Sequence, residues 1–163
     1  MGNVDSAIGP GPKLSLSTKK SIMALGAALT CAKGDVMMVD ESIVDADHDY
    51  TTIVVPTTAE LQHGLFCVCL EAQATAGGNV LVGWIGTFEV KVDGATDVDI
   101  DAGTTSADPL IAVNAARNLA DGDAATGAQK IIGKWVEGVD YTTAALALKW
   151  VMFDGINGFG AVT

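Results

Sequence analysis

The stretch Asn79–Val92 reads NVLVGWIGTFEVKV, and it decides the fold class of this 163-residue chain. Its β-branched and aromatic residues recur with a period of two, which is typical of strands that bury one face. We predict two strands here, Asn79–Ile85 and Thr87–Val92. Gly83 and Gly86 are interpreted as turns or bulges within this strand pair.

The same pattern continues on both sides of this stretch. Glycine, aspartate and proline separate the segments, and short, evenly spaced strands indicate a β-sandwich or β-barrel. We therefore predict an all-β fold, a compact β-barrel or sandwich with short helical turns at Thr57–Gln62 and Asn114–Leu119. The other predicted strands are Val36–Val39, Tyr50–Val55, Gly64–Glu71, the pair Val98 and Ile100, Leu110–Val113, Ile131–Val136 and Ala147–Phe153.

The N-terminal residues differ in character from the rest of the chain. Gly9-Pro10-Gly11-Pro12 excludes helix and regular sheet, while Leu14 and Leu16 alternate with serine and allow a short edge strand. We predict an extended N-terminal arm over residues 1–33 and a β-rich domain over residues 34–163.

The charge of the N-terminal arm also differs from that of the domain that follows it. The chain has net charge −11, with nine Lys and Arg against twenty Asp and Glu, so nucleic-acid binding is not expected. Residues 1–34 hold four lysines and one aspartate, a sum of +3, whereas residues 35–163 sum to −14. A basic arm on an acidic domain favours contact with an acidic partner surface.

One segment imitates a secretory signal. Lys19-Lys20 precedes the apolar run Ser21–Ala32, but the basic pair comes late and the run is short and contains Gly26. No stretch reaches about 18 uninterrupted apolar residues, so no membrane span is predicted. The odd cysteine count favours folding in a reducing, intracellular compartment.

Few residues could carry chemistry. His48 lies in a polar run and His63 at a turn, without a nucleophile motif nearby. Cys67 and Cys69 are two apart in a strand, so they share one face and are interpreted as core, with Cys31 as a third free thiol. The run Asp97–Gly103 departs from a calcium loop because Ala102 stands where glycine is required. We predict no catalytic residue, metal or cofactor, and hence no enzyme.

The three tryptophans, Trp84, Trp135 and Trp150, all fall in predicted strands. Their apolar neighbours favour core positions. A subset could form an oligomer interface, where aromatic residues are enriched.

An ordered series of short motifs runs through the C-terminal half, and it resembles the small capsid decoration, or cement, proteins of tailed bacteriophages. The motifs are Val80–Gly86 (VLVGWIG), Thr87–Val92, Ile100–Gly103, Pro109–Val113 (PLIAV), Lys130–Gly138 (KIIGKWVEG) and Lys149–Phe153 (KWVMF). The resemblance implies a compact β-rich fold such as the β-tulip, on the capsid surface of a virion. It also implies a homotrimer that clamps neighbouring subunits of the major capsid protein.

In that family the N-terminal arm often contacts the capsid or a neighbouring decoration subunit. The residues of this sequence that match the role are Lys13, Leu14, Leu16, Lys19 and Lys20. The long arm and the tail Asn157–Thr163 depart from the smallest members, which leaves the mode of attachment open. Two alternatives remain, another virion component such as a head-fibre base or tail protein, or a β-sandwich with a tryptophan-lined ligand pocket.

Overall fold

A computed structural model describes residues 18–41, 51–58, 61–93, 109–113, 115–122, 129–137, 140–141 and 146–161. Within these residues there are nine strands: β1 (Lys19–Leu25), β2 (Val36–Val39), β3 (Thr52–Val54), β4 (Phe66–Cys69), β5 (Asn79–Asp93), β6 (Pro109–Ala112), β7 (Leu119–Asp121), β8 (Ile131–Trp135) and β9 (Ala147–Asp154). The prediction of an all-β, compact fold is confirmed.

All nine strands belong to one mixed sheet, and the long strand β5 closes it twice. The strand order is β1-β3-β2-β4-β5-β7-β6-β8-β9, and β5 makes additional pairings with β1 and β9. The first ring-like circuit therefore contains β1, β3, β2, β4 and the start of β5. The second contains the end of β5 with β7, β6, β8 and β9. Each described strand consequently has hydrogen-bonded neighbours on both sides.

Most pairings in the two circuits are antiparallel. The two parallel ones join β1 to β3, with Ala24 opposite Thr52, and β5 to β7, with Val92 opposite Leu119. The longest ladder is antiparallel and joins eight residues of β5, from Ile85 to Val92, to the whole of β9.

The hydrophobic core has two parts. The smaller cluster lies among the strands of the first circuit and contains Met23, Leu25, Cys31, Met37, Ile53, Cys67, Cys69, Val80 and Val82. The larger cluster joins the second circuit to the opposite face of β2 and β4: Val36, Met38, Leu61, Phe66, Val68, Phe88, Val90, Val92, Leu110, Ala112, Leu119, Ile132, Trp135, Tyr141, Val151 and Phe153. Because β2 and β4 are buried on both faces, they are continuous apolar runs, VMMV and FCVC.

The central strand is longer than the sequence predicts. Asn79–Asp93 forms one strand of 15 residues rather than two. Gly86 has a φ of +141°, a backbone conformation that favours glycine, so the chain continues through it without leaving the sheet. A Cβ at Gly83 would lie 2.5 Å from the Phe88 ring, so the absence of a side chain there admits that ring.

The N-terminal boundary also differs from the prediction. Residues 1–33 are predicted to form an extended arm, whereas Lys19–Leu25 pairs with both β3 and β5 inside the sheet. The apolar run that imitates a signal segment is a strand with Met23 and Leu25 in the core. Lys13, Leu14 and Leu16 lie outside the described residues.

One predicted helical turn is wrong. Ala115 and Arg117 have φ values of 60° and 57°, which a right-handed helix does not allow, and Leu119 begins β7. The residues of the other predicted turn are described except for 59–60, and Leu61–His63 form a turn. The predicted strand at Val98 and Ile100, with the Asp97–Gly103 run, lies outside the described residues, as does His48.

Candidate interaction surfaces

The first candidate surface lies at the start of β1. Lys19 and Lys20 are exposed there, and Ile22 on the same strand is 70% exposed. The inward side chains Met23 and Leu25 anchor the strand, because they pack in the smaller cluster. Lys19, Lys20 and Ile22 are called the β1 surface from here on. Lys20 and Ile22 are two apart in the strand and share its outward face, and Lys19 is exposed at the first residue of the strand.

A bulge shapes this surface. Lys19 lies opposite Ile85 and Lys20 opposite Gly83, so Trp84 is an extra residue on β5. The indole Nε1 of Trp84 donates a hydrogen bond of 2.7 Å to Ser21 Oγ, and its ring packs against the smaller cluster. The start of β1 is therefore fixed to β5 by side chains as well as by the ladder.

The second candidate surface is the outward side of β9. Leu146, Leu148 and Trp150 are 54%, 43% and 51% exposed, and Val136 at the end of β8 is 46% exposed. These four residues are called the β9 row. Alternate residues of the same strand, Val151 and Phe153, are fully buried in the larger cluster. Four of the five large hydrophobic side chains exposed in the described part of the chain thus belong to one place.

Charged side chains border the β9 row in opposite pairs. The Lys33 ammonium pairs with the Glu89 carboxylate, and Glu89 is opposite Trp150 in the ladder. Lys91, opposite Leu148, pairs with buried Asp35. 

On the β8 side, Lys149 Nζ lies 3.2 Å from Glu137 Oε2. The other oxygen of Glu137 accepts a hydrogen bond of 3.1 Å from the backbone N–H of Trp150. Each of these three cations therefore has an anion beside it.

The three tryptophans do not form a common pocket. Trp135 is 1% exposed and stacks on Tyr141 with ring centroids 6.1 Å apart, inside the larger cluster. Trp84 packs on the other cluster, and Trp150 lies on the outward face. Of the predicted interface residues, Trp150 is placed where another molecule can reach it, while Trp135 serves the core.

The cysteines occupy core positions, as predicted for the strand pair. Cys31, Cys67 and Cys69 are free thiols buried in the smaller cluster. Burial raises the pKa of the Cys67 and Cys69 thiols well above the ordinary range, and neighbouring Cys31 acts in the same direction. A thiol in this state is a small hydrophobic group and a poor nucleophile.

We expect the thiols of the folded protein to resist a thiol reagent such as Ellman's reagent at pH 8. Fewer than one thiol per chain should react within minutes, and three should react in concentrated guanidinium chloride. A Cys31→Ser variant should give two under the unfolding condition. Fast reaction of two thiols in the folded state would contradict the burial of the pair.

Two charged groups, one buried and one half-buried, join distant parts of the sheet. The Asp35 carboxylate accepts a 2.9 Å hydrogen bond from Ala32 N and pairs with Lys91 and, at 3.5 Å, with Arg117. It thereby connects the start of β2 to β5 and to the loop before β7. Such a group supports one specific arrangement of elements more than it adds net stability.

The Lys130 ammonium is the second such group. Its Nζ donates to the carbonyl oxygens of Gly64, Gly155 and Ile156 at 3.1, 3.2 and 2.6 Å. Burial lowers the pKa of this lysine, and the nearby Asp154 carboxylate opposes that effect. With three acceptors for three donors, the ammonium fixes the turn after β9 against the segment before β4.

Other kinds of site find little support in the described residues. His63 is exposed at the Leu61–His63 turn. Among the residues that the structure describes, no three His, Cys, Asp or Glu side chains are grouped so as to hold a metal ion. No helix in the same residues has the length and apolarity to cross a membrane.

Sequence reasoning did not identify Ile22, Val136, Leu146 and Leu148 as surface residues. A partial signal exists in Ala147–Phe153, because it is apolar at both odd and even positions. Such a strand is either buried on both faces or carries an exposed apolar face. Only the structure distinguishes these cases.

Comparison with protein-family models, with curated proteins and with solved structures gives no match. The β1 surface, the β9 row and the sheet that carries them are therefore the features from which a function is inferred.

Proposed function

We propose that this chain is a non-enzymatic structural protein that binds the outer surface of a viral capsid and stabilises the shell by clamping neighbouring subunits of the major capsid protein. The observation that carries the proposal is the β1 surface. Two exposed lysines and a largely exposed isoleucine stand on a strand fixed in the sheet, in a chain of net charge −11. Such a surface suits an acidic, partly apolar partner.

The build of the sheet supports a mechanical role. A clamp must transmit force without deforming, and the two circuits leave each described strand paired on both sides. The contacts of buried Asp35 and half-buried Lys130 add cross-links between the circuits. Many weak, identical contacts on a shell would add through avidity.

The ligand-pocket alternative receives less support. It requires Trp84, Trp135 and Trp150 to line one concavity, and they lie in three different environments. Another virion component, such as a head-fibre base or tail protein, would use the same kind of surface on a different partner.

We expect Lys20→Glu to weaken binding to empty capsid shells about 10-fold at low salt, because it places a like charge against an acidic surface. The difference from the wild type should shrink at about 0.5 M salt, where charge interactions are screened. Co-sedimentation with purified shells, with the bound fraction measured over a range of protein concentrations, checks both statements.

The matched control is Lys134→Glu, which changes the net charge equally on β8, a strand of the second circuit, whereas β1 belongs to the first. It should bind within about 2-fold of the wild type. Wild-type protein that fails to sediment with shells would exclude the proposed function. Equal loss in both variants would exclude the β1 surface as the contact and leave a general charge effect.

A further inference from the structure

The β9 row is an exposed apolar surface. The fold itself does not require apolar side chains at these positions. The outward positions of a strand tolerate threonine or charged residues, and an antiparallel sheet with one wet face normally alternates apolar and polar residues. Leu146, Leu148 and Trp150 break that alternation in succession. Contiguous exposed apolar residues of this kind mark contact sites for other molecules.

The row cannot relieve its exposure by turning inward. The space beneath β9 is filled by Val151 and Phe153, which are fully buried. Leu148 also packs against the turn before β2, since a Cβ at Gly34 would collide with its Cδ2 atom. Gly34 has a φ of +83°, which favours glycine at this position. The row is therefore preformed, and little conformational entropy is lost when it is covered.

The charge around the row restricts the partner. Each of the three ion pairs Lys33–Glu89, Lys91–Asp35 and Lys149–Glu137 sums to zero, and Arg117 is a second cation beside Asp35. The described residues as a whole carry eight cations and ten anions, a sum of −2, so the remaining −9 belongs to the other residues of the chain. A strongly cationic partner would be attracted to those acidic segments. The apolar row, bordered by ion pairs, offers such a partner no excess of negative charge.

A second copy of this chain, which is acidic and carries the same apolar row, suits this surface better than a cationic partner does. Two chains of net charge −11 repel each other, and the repulsion is least where each presents a locally neutral face. A contact between two β9 rows brings apolar side chains together and leaves the three ion pairs intact. Face-to-face packing is favoured over strand addition, since each described strand already has hydrogen-bonded neighbours on both sides along at least part of its length.

We infer that the β9 row is a self-association surface, on which a second copy of this chain packs face to face. Four half-exposed apolar side chains supply on the order of 300–400 Å² per copy. A stable interface usually needs about 800 Å² per partner. The association through this row is consequently weak, with a Kd in the micromolar range, and depends on protein concentration.

The test is sedimentation equilibrium of the full-length protein alone, from about 1 to 300 μM, with no capsid present. The wild-type mass should rise with concentration from the 16.6 kDa of one chain. Leu148→Lys should raise the Kd at least 10-fold. Raising the salt to about 0.5 M should strengthen wild-type association, because repulsion between acidic chains is screened.

The matched control is Ile22→Lys, which exchanges the one exposed large hydrophobic residue of the described part that lies outside the row. It makes the same change of side chain and net charge on β1, and its Kd should stay within about 2-fold of the wild type. Circular dichroism melting of each variant verifies that the fold is intact. A second row variant, Trp150→Glu, should act in the same direction as Leu148→Lys.

A wild-type protein that keeps the mass of one chain at 300 μM would overturn the inference. So would association that survives both row variants, or that is lost equally in Ile22→Lys. The inference does not rest on capsid binding, and Lys20→Glu should associate within about 2-fold of the wild type at about 0.5 M salt, where its added negative charge is screened. Failure of one proposal is thereby separable from failure of the other.

Discussion

Replacing Trp135 by alanine should lower the free energy of unfolding by about 3–5 kcal/mol, the range for deleting a fully buried tryptophan side chain. The indole is 1% exposed and stacks on Tyr141, whose ring also receives the Lys149 ammonium at 4.9 Å from its centroid. Its loss leaves a cavity that β8 and β9 cannot close, since both are held in ladders on each side. Urea unfolding followed by circular dichroism measures the change.

Trp150→Ala is the matched control, because it removes the same side chain from the outward face of a neighbouring strand. Because half of the Trp150 surface is already in water, its removal should lower the free energy of unfolding by no more than about 1 kcal/mol. Similar losses in the two variants would contradict the division of tryptophans between core and surface.

Gly155→Ala is expected to destabilise the protein by about 3 kcal/mol or more, at or beyond the upper end for overpacking. A Cβ at this position would lie 2.6 Å from the carbonyl carbon of Phe66 and closer still to its oxygen, and backbone atoms cannot rotate away. The same glycine accepts a hydrogen bond from Phe66 N at 3.0 Å and donates one to Trp84 O at 2.9 Å. These two hydrogen bonds fix the turn after β9 to β4 and β5.

The control for this prediction is Gly26→Ala. Its Cβ would meet only side-chain atoms, of Leu29 and Val54, at 3.3 Å, so small shifts can accommodate it. We expect a change within about 1 kcal/mol in the same urea titration. Equal midpoints for Gly155→Ala and the wild type would show that the turn is not packed on β4 as described.

In the proposed function the two surfaces have different tasks. The β1 surface belongs to the first circuit and the β9 row to the second, and β5 is shared by both. Binding to a shell through one and to another copy through the other would multiply weak contacts by avidity. The capsid and mass measurements test these tasks separately.

The sequence alone was sufficient for the all-β class and for most strands. Short apolar or alternating segments between glycine, aspartate and proline breakers mark β2, β4, β6, β8 and β9 within two residues at each end. The two-residue spacing of Cys67 and Cys69 also indicated their common buried face. These features are local, because they depend on side-chain alternation and turn chemistry within a few residues.

Tertiary structure decided the rest. Lys19–Leu25 has the composition of an arm or a signal segment, and it is a strand because β3 and β5 pair with it from positions far along the chain. Likewise, Leu119–Asp121 continues no local pattern, and its place between β5 and β6 makes it a strand. Whether Leu148 and Trp150 point to water or to a core depends on what lies across the sheet. Alternation determines which residues share a face, and only the packing of distant strands determines which of the two faces is covered.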